Sequence, residues 1–392
     1  MPHITVKPFD TSSLEKGQYG STQFLFKAND LTSKDEILGV KVEGESFLLH
    51  VKKSANDYLL KYDKVTRPLK VNLLKQAIGD ISTALNLEVL HSNITIHTTK
   101  APLANEYEKH IEDFINIDFS FESVAIEVGF GSGKHLLYQA QKNPDRLFIG
   151  IEIHTPSAAQ VLKQIEILKL KNIWVVNYDA RLLLEMMPSN SCHQIFVHFP
   201  VPWDKKPNRR VISSSFLEES MRVLEVKGRL ELRTDSDKYF WYALETFLGN
   251  GVAKTLVEVR KNEALAITSK YEARWIRQEK DIYDVYVTSQ ENSKERVWDF
   301  DFLFKNVSYK KEFLDKITLK PMLFDGFFIH FERLYKINEN AILIKLAFGS
   351  FDRPEHKYIW IDESEAYYFN SNPVKTVTNY KTHLKIMEYL NV

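Results

Sequence analysis

The stretch Ala125-Ile-Glu127-Val-Gly129-Phe-Gly131-Ser-Gly133-Lys134 decides how the chain is read. An apolar strand runs into an acid, then into glycines at alternate positions, then into a helix-forming segment. Glycine lets a chain turn sharply and lets a ligand approach the backbone. A glycine loop alone is a weak signal, and a plain strand-to-helix turn is the alternative reading of this string. The dinucleotide fingerprint spaces its glycines G-x-G-x-x-G, whereas these are G-x-G-x-G behind a carboxylate. A carboxylate at a strand end repels a pyrophosphate and attracts a cation such as the ammonium of an amino-acid moiety. S-adenosylmethionine carries an ammonium, a sulfonium and no phosphate. Glu127 therefore points to that cofactor and away from a nicotinamide dinucleotide.

On either side of this string, short apolar runs alternate with helical periods. Val124–Gly129, Leu147–Ile153, Asn172–Asn177, Gln194–Phe199 and Arg229–Arg233 read as strands. Lys134–Gln141, Ser157–Leu170 and Ser214–Leu224 read as helices. That alternation implies an α/β core, a Rossmann-like parallel sheet with helices on both faces. Two more acids end the next two strands. Glu152 stands where such folds place a carboxylate on ribose hydroxyls, and Asp179 can accept from an adenine amino group. Singly, each is more often a helix cap or a solvated loop residue; together they form a pattern of acids at three successive strand ends.

Residues 1–100 and 291–392 differ in rhythm from this core at 101–290 and are read as β-rich accessory modules. Ser21–Ala28, Ile37–Lys52 and Tyr58–Val65 suggest strands before an amphipathic helix at Val71–Leu85. Val297–Phe304, Gly326–Phe331, Ala341–Phe348 and Lys357–Ile361 suggest strands before a last helix at Thr376–Tyr389. Lys+Arg and Asp+Glu are 52 each among 392 residues, which excludes a globally basic nucleic-acid binder but not a local basic patch. The lone Cys192 excludes a disulfide framework and cysteine-rich metal sites. No secretory leader or membrane-length apolar run is read, so the expectation is a cytoplasmic protein.

The segment His198-Phe-Pro200-Val201-Pro202-Trp203-Asp204-Lys205-Lys206-Pro207-Asn-Arg209-Arg210 leaves the fourth strand. Its prolines stiffen an extended loop. Trp203 offers a stacking surface, and Lys205, Lys206, Arg209 and Arg210 offer cations. A solvated basic loop is one reading; contact with an RNA backbone and an unstacked base is the other.

Over roughly residues 105–290 the sequence resembles the bacterial tRNA (guanine-N7-)-methyltransferases. The likeness rests on Glu127-Val-Gly-Phe-Gly-Ser-Gly133, Ile151-Glu152-Ile-His154, Tyr178-Asp179-Ala180, Phe199-Pro-Val-Pro-Trp203 with its basic run, Phe216-Leu217, Arg233-Thr-Asp235 and Thr268-Ser-Lys-Tyr-Glu272. The resemblance implies an S-adenosylmethionine-dependent methyltransferase that modifies N7 of a guanosine in tRNA, at guanine 46 of the variable loop. It implies cofactor binding by Glu127, Gly129, Gly131, Gly133, Glu152 and Asp179. Lys205, Asp235, Ser269 and Glu272 match its substrate-binding positions, and the long modules at either end lie outside its typical core.

One position departs from the family. The pattern is F-P-D-P-W, and its aspartate is replaced here by Val201. Guanine N7 is a free lone pair, so no base need remove a proton, and Asp235 or Asp204 could supply a carboxylate as charge develops on the ring. Asp235 is the candidate catalytic residue. His135, His154 and His198 lie near the motifs and are read as structural or supporting, with substrate contact as the alternative. No metal-ligand spacing is present and none is needed. A methyltransferase acting on another RNA or on a small molecule, and a non-catalytic RNA-binding protein, are the alternatives.

Overall fold

The computed structural model describes residues 2–94, 105–249, 254–267, 272, 275, 277–297, 299–310, 314 and 317–391. They divide into two compact units, a central one of residues 101–299 and an outer one formed by residues 1–100 together with 300–392.

The central unit is α/β. Its elements are β1 (Ser123–Val128), α1 (Lys134–Lys142), β2 (Arg146–Ile151), α2 (Thr155–Leu168), β3 (Ile173–Val176), α3 (Ala180–Met186), β4 (Cys192–His198), α4 (Ser214–Val223), β5 (Leu224–Thr234), α5 (Asp237–Gly249), β6 (Thr255–Lys261) and β7 (Tyr283–Ser289). The sheet order is β3-β2-β1-β4-β5-β7-β6. The first five strands are parallel, while β7 runs antiparallel to both β5 and β6. Because β1 begins the fold and lies mid-sheet, the order reverses beside it. A parallel sheet opens a crevice at the carboxyl ends of its strands at such a point.

Local chemistry explains the boundaries. Strands β1 and β2 are mostly apolar runs, as strands covered on both faces must be, while β4, β5 and β7 also carry buried or half-buried polar groups. Pro156 occupies the first turn of α2, where its missing N–H costs nothing. The Ser213 hydroxyl accepts from Phe216 N at 3.2 Å and caps α4. Buried Cys192 has its thiol pushed up to about 12 by desolvation, so it packs as a small apolar group. The short helix α3, the helix α5 and the β6–β7 pair were not anticipated from the sequence.

The outer unit corrects the reading of two separate end modules, since both segments build one twelve-stranded antiparallel sheet. From one edge the strands are Ala366–Tyr368, Pro354–Asp362, Ala341–Gly349, Phe328–Asn338, Thr22–Asp30, Glu36–Val42, Glu45–Lys53, Tyr58–Tyr62, His3–Val6 and Val89–Ser92. Gly17–Tyr19 and Met322–Leu323 pair with this series from the side. The segments join where Tyr335 pairs with Asp30 and Lys336 with Asn29. An exposed strand edge is a hazard, and here each segment covers the other's. The helices Val71–Ala84 and Val377–Leu390 bury apolar stripes against their own halves. A further cluster of Ala28, Ile37 and Leu48 with Tyr335, Leu343 and Tyr358 ties the halves together.

Two strand expectations are revised. Ile37–Lys52 is a hairpin, turned at Glu43 (φ 49°) and Gly44 (φ 88°). The described residues of 297–304 form no strand. Phe300, Phe302 and Phe304 instead add aromatic surface to the core beneath Val377–Leu390.

Candidate active site

At the end of β1 the chain turns through Gly129, Gly131 and Gly133, all with positive φ (69°, 53° and 71°). A Cβ at Gly129 or Gly131 would meet nothing within 4 Å, so their constraint is conformational and the space above them is open. At Gly133 a Cβ would lie 2.3 Å from Val161 Cγ2, so this glycine allows α1 to pack against α2. The loop is an open cradle with one packed side.

Three carboxylates border it, and each is oriented by a different device. Buried Glu127 has Oε2 2.8 Å from His135 Nδ1. Its Oε1 takes no hydrogen bond among the described residues and remains available for a cation. Glu152 accepts from Gly131 N and His154 N, each at 2.9 Å, one on each oxygen. A carboxylate has roughly four acceptor positions, so two stay open to hydroxyls. Asp179 caps α3 through Arg181 N at 3.0 Å and pairs with the Arg181 guanidinium at 2.6 Å. It is a helix cap that remains 31% exposed at the side chain. Glu127 lies opposite Gly150 of β2 and Phe196 of β4, so strand register fixes its depth.

Below the cradle lies a polar network that the sequence signalled only as scattered histidines. His198 Nε2 is 2.9 Å from Glu231 Oε1, and the His135 and His198 rings are 4.7 Å apart. Burial would lower the pKa of His135, but the charge and hydrogen bond of Glu127 outweigh it and raise it above the ordinary histidine value. Burial would raise Glu231, yet the bond to His198 holds it below the usual carboxylate range. His154 is exposed, and its ring meets Ser157 Oγ at 2.9 Å.

The loop after β4 is conformationally strained. Phe199 (φ 49°) and Trp203 (φ 45°) are bulky residues in the left-handed region, which costs on the order of 1–3 kcal/mol each and persists only where the surroundings impose it. Lys205, Lys206 and Arg209 are exposed, and the Arg209 guanidinium lies 5.2 Å from the Trp203 ring centre. Val201 is 60% exposed. Arg210 corrects the expectation of a fourth RNA-facing cation. It is buried, donates to Pro202 O at 2.8 Å and stacks 4.3 Å from the Tyr242 ring. Its guanidinium braces the loop from inside.

Beside this loop, Asp235 directly follows β5 and is held by Lys280 Nζ at 3.0 Å, with Lys280 lying 3.7 Å over the Trp275 ring. Glu272 corrects a second expectation. It is buried, with Oε1 2.8 Å from Arg233. Arg233 also donates to both oxygens of Asp284, at 2.6 and 2.7 Å. Glu272 is thus tied to β5 through Arg233, with its carboxylate turned inward. Ser269 lies outside the described residues. Among the described residues no group of three His, Cys, Asp or Glu is gathered as for a metal, and no helix is long and apolar enough to cross a membrane.

A family model described as a putative methyltransferase matches residues 122–285, which span every strand from β1 onward and part of β7. The chain is 38% identical to the tRNA (guanine-N(7)-)-methyltransferase of Wolinella succinogenes, with 100% of each chain covered. It is 39% identical to the protein of that name from Helicobacter pylori and 40% identical to that from Campylobacter jejuni, in each case over 100% of this chain and 99% of the relative. The likeness therefore runs through both end segments as well as the acid-tipped sheet, and the chain belongs to the tRNA (guanine-N7-)-methyltransferase family.

Proposed function

We propose that this chain transfers the methyl group of S-adenosylmethionine to N7 of a guanosine in tRNA, at guanine 46 of the variable loop, in the cytoplasm. The observation that carries this reading is the set Glu127, Glu152 and Asp179 at the ends of three adjacent parallel strands around an open glycine turn. Such a set suits a cationic amino acid, a ribose and an adenine in sequence across the sheet. Glu127 Oε1 takes the ammonium, Glu152 takes ribose hydroxyls with its open lone pairs, and Asp179 faces the adenine edge. Gly129 and Gly131 allow the close backbone approach. When bound, the cofactor supplies an electrophilic methyl on a sulfonium centre.

The protein's own part is positioning. N7 needs no deprotonation, so the residues must align it with the methyl and keep water away. Lys205, Lys206 and Arg209 hold phosphates, and Trp203 offers a face for an unstacked base. Asp235 holds the guanine edge as positive charge moves onto the ring, in place of the absent acid at Val201. Arg210 keeps the loop after β4 in place, and Glu272 helps hold Arg233 of β5.

Incubation with labelled S-adenosylmethionine and unmodified tRNA, followed by nucleoside analysis, tests the reading. It expects label in 7-methylguanosine. Label in another base or in a small molecule points to a different methyltransferase, and absence of cofactor binding by calorimetry points to a non-catalytic RNA-binding protein.

A further inference from the structure

The outer unit holds a cavity of about 190 Å³ on its sheet. Lys52, Lys61 and Lys64 line it from the N-terminal segment, and Arg333 and Lys345 line it from the C-terminal one. The lining lies near the short join of the halves at Tyr335 and Asp30. Lys61 sits opposite His50 in register, and Arg333 sits opposite Lys345.

The charges in this cavity do not cancel. Arg333 is paired with Asp30 at 2.5 Å and Lys345 with Glu332 at 3.1 Å. Two carboxylates also line the wall. Asp63 is buried and fully engaged: Oδ2 accepts from Tyr358 OH at 3.0 Å and meets His50 Nε2 at 2.8 Å, while Oδ1 accepts from Val65 N at 2.8 Å and Thr66 N at 3.0 Å. Asp35 accepts from Lys53 N at 3.1 Å. The side chains of Lys52, Lys61 and Lys64 have neither an ion pair nor a hydrogen bond among the described residues. Burial, then the charges of Lys52 and Lys64, push the Lys61 ammonium below the ordinary lysine value, and the opposing pull of Asp63 and Asp35 does not make this up. Crowded like charges on a concave wall are unfavourable by themselves and are relieved by an anion. Their geometry also limits which anion. These are point charges on flexible stems in two strands and a loop, and Arg333 already gives one guanidinium nitrogen to Asp30. Spread ammonium groups suit successive phosphates of a chain better than one enclosed small anion.

We propose that this cavity is a second RNA contact, in which Lys52, Lys61 and Lys64 take phosphodiester groups of the tRNA backbone. It rests on the tRNA reading above. The outer unit then carries part of the substrate affinity with no part in methyl transfer.

The test compares the full chain with a Lys52→Ala/Lys61→Gln/Lys64→Ala variant, measuring tRNA affinity against salt and the affinity for S-adenosylmethionine. The salt slope should fall by roughly 0.7–0.9 for each phosphate no longer neutralised, and Kd for tRNA should rise on the order of tenfold at moderate salt. Cofactor affinity should stay put, and Lys→Arg replacements should restore the slope. An unchanged slope and Kd overturn the proposal. So does a variant that loses affinity for inorganic phosphate while binding tRNA as before, since the cavity is then a small-anion site. If the slope falls but no 7-methylguanosine forms, the RNA contact stands and the guanine-N7 reading falls. If 7-methylguanosine forms and the slope holds, only the cavity proposal falls.

Discussion

In the central sheet, Glu127, Glu152 and Asp179 lie at or just beyond the ends of strands that follow one another along the chain, and the parallel pairing of those strands brings them to one rim. In the outer sheet, Asp63 and Tyr358 share a hydrogen bond across 295 positions, and the lysines and arginine of one cavity come from opposite ends of the sequence. The two regions also differ in how charge is settled. Around Arg233 the central unit buries an arginine between two acids. On the outer sheet three lysines are left for solvent or a ligand. A buried charge cluster fixes structure, because each member needs the others, whereas an unpaired exposed cluster is available for binding.

The hardest test of this contrast is Arg233→Met. It leaves Asp284 and Glu272 buried without their partner and should destabilise the central unit by about 3–5 kcal/mol in chemical denaturation. A loss no larger than that of an exposed lysine would erase the distinction. Next is Asp235→Asn, which should lower single-turnover methylation by about 10²–10³ while cofactor affinity holds. Val201→Asp should be tolerated or mildly activating, since the exposed loop position admits the family residue. Near-normal turnover in Asp235→Asn leaves Asp204, or no carboxylate, in that role.

Glu152→Ala should weaken S-adenosylmethionine binding by about 1.5–3 kcal/mol, as for the removal of hydrogen bonds to a charged acceptor. Since Glu152 also holds Gly131 N and His154 N, Glu152→Gln separates the roles. The amide keeps one acceptor oxygen, so it should recover part of the loop order and less of the affinity. Equal affinity in the folded alanine variant argues against ribose contact.

Neutralising Lys205 and Lys206 should flatten the salt dependence of tRNA binding by roughly 0.7–0.9 for each phosphate they hold. Combined with the outer-sheet triple variant, the two reductions should add if the sheets hold separate stretches of backbone. The smallest effect concerns His135. Its folded pKa is raised above the unfolded 6.5, so its stabilisation is complete below that value and is lost as pH rises through the folded pKa. His135→Gln should flatten stability against pH in that window, and an unaltered profile would show that the pair with Glu127 is not coupled to folding.

Much of the central fold was legible because its signals are local. Apolar runs and glycine turns follow from the period and conformational needs of a few consecutive residues, and the strand-end acids mark where those runs stop. Arg210 and Glu272 were misplaced for the opposite reason. A charged residue in a basic run or a polar motif looks exposed until its partners, the Tyr239 and Tyr242 rings or Arg233, are known. Strand β7 was missed because Asp284 interrupts its apolar character, and that acid is tolerated only through Arg233, 51 positions away.

The α/β core, the glycine turn with its three acids and the basic tryptophan loop are all written in residues near one another, so the chain's order of residues was enough to read them. Folding in three dimensions was needed to join the two end segments in one sheet and to bring three lysines into a cavity with Arg333. Pairing between distant strands depends on which edges are left open and which apolar faces match, and neither is a property of any single segment.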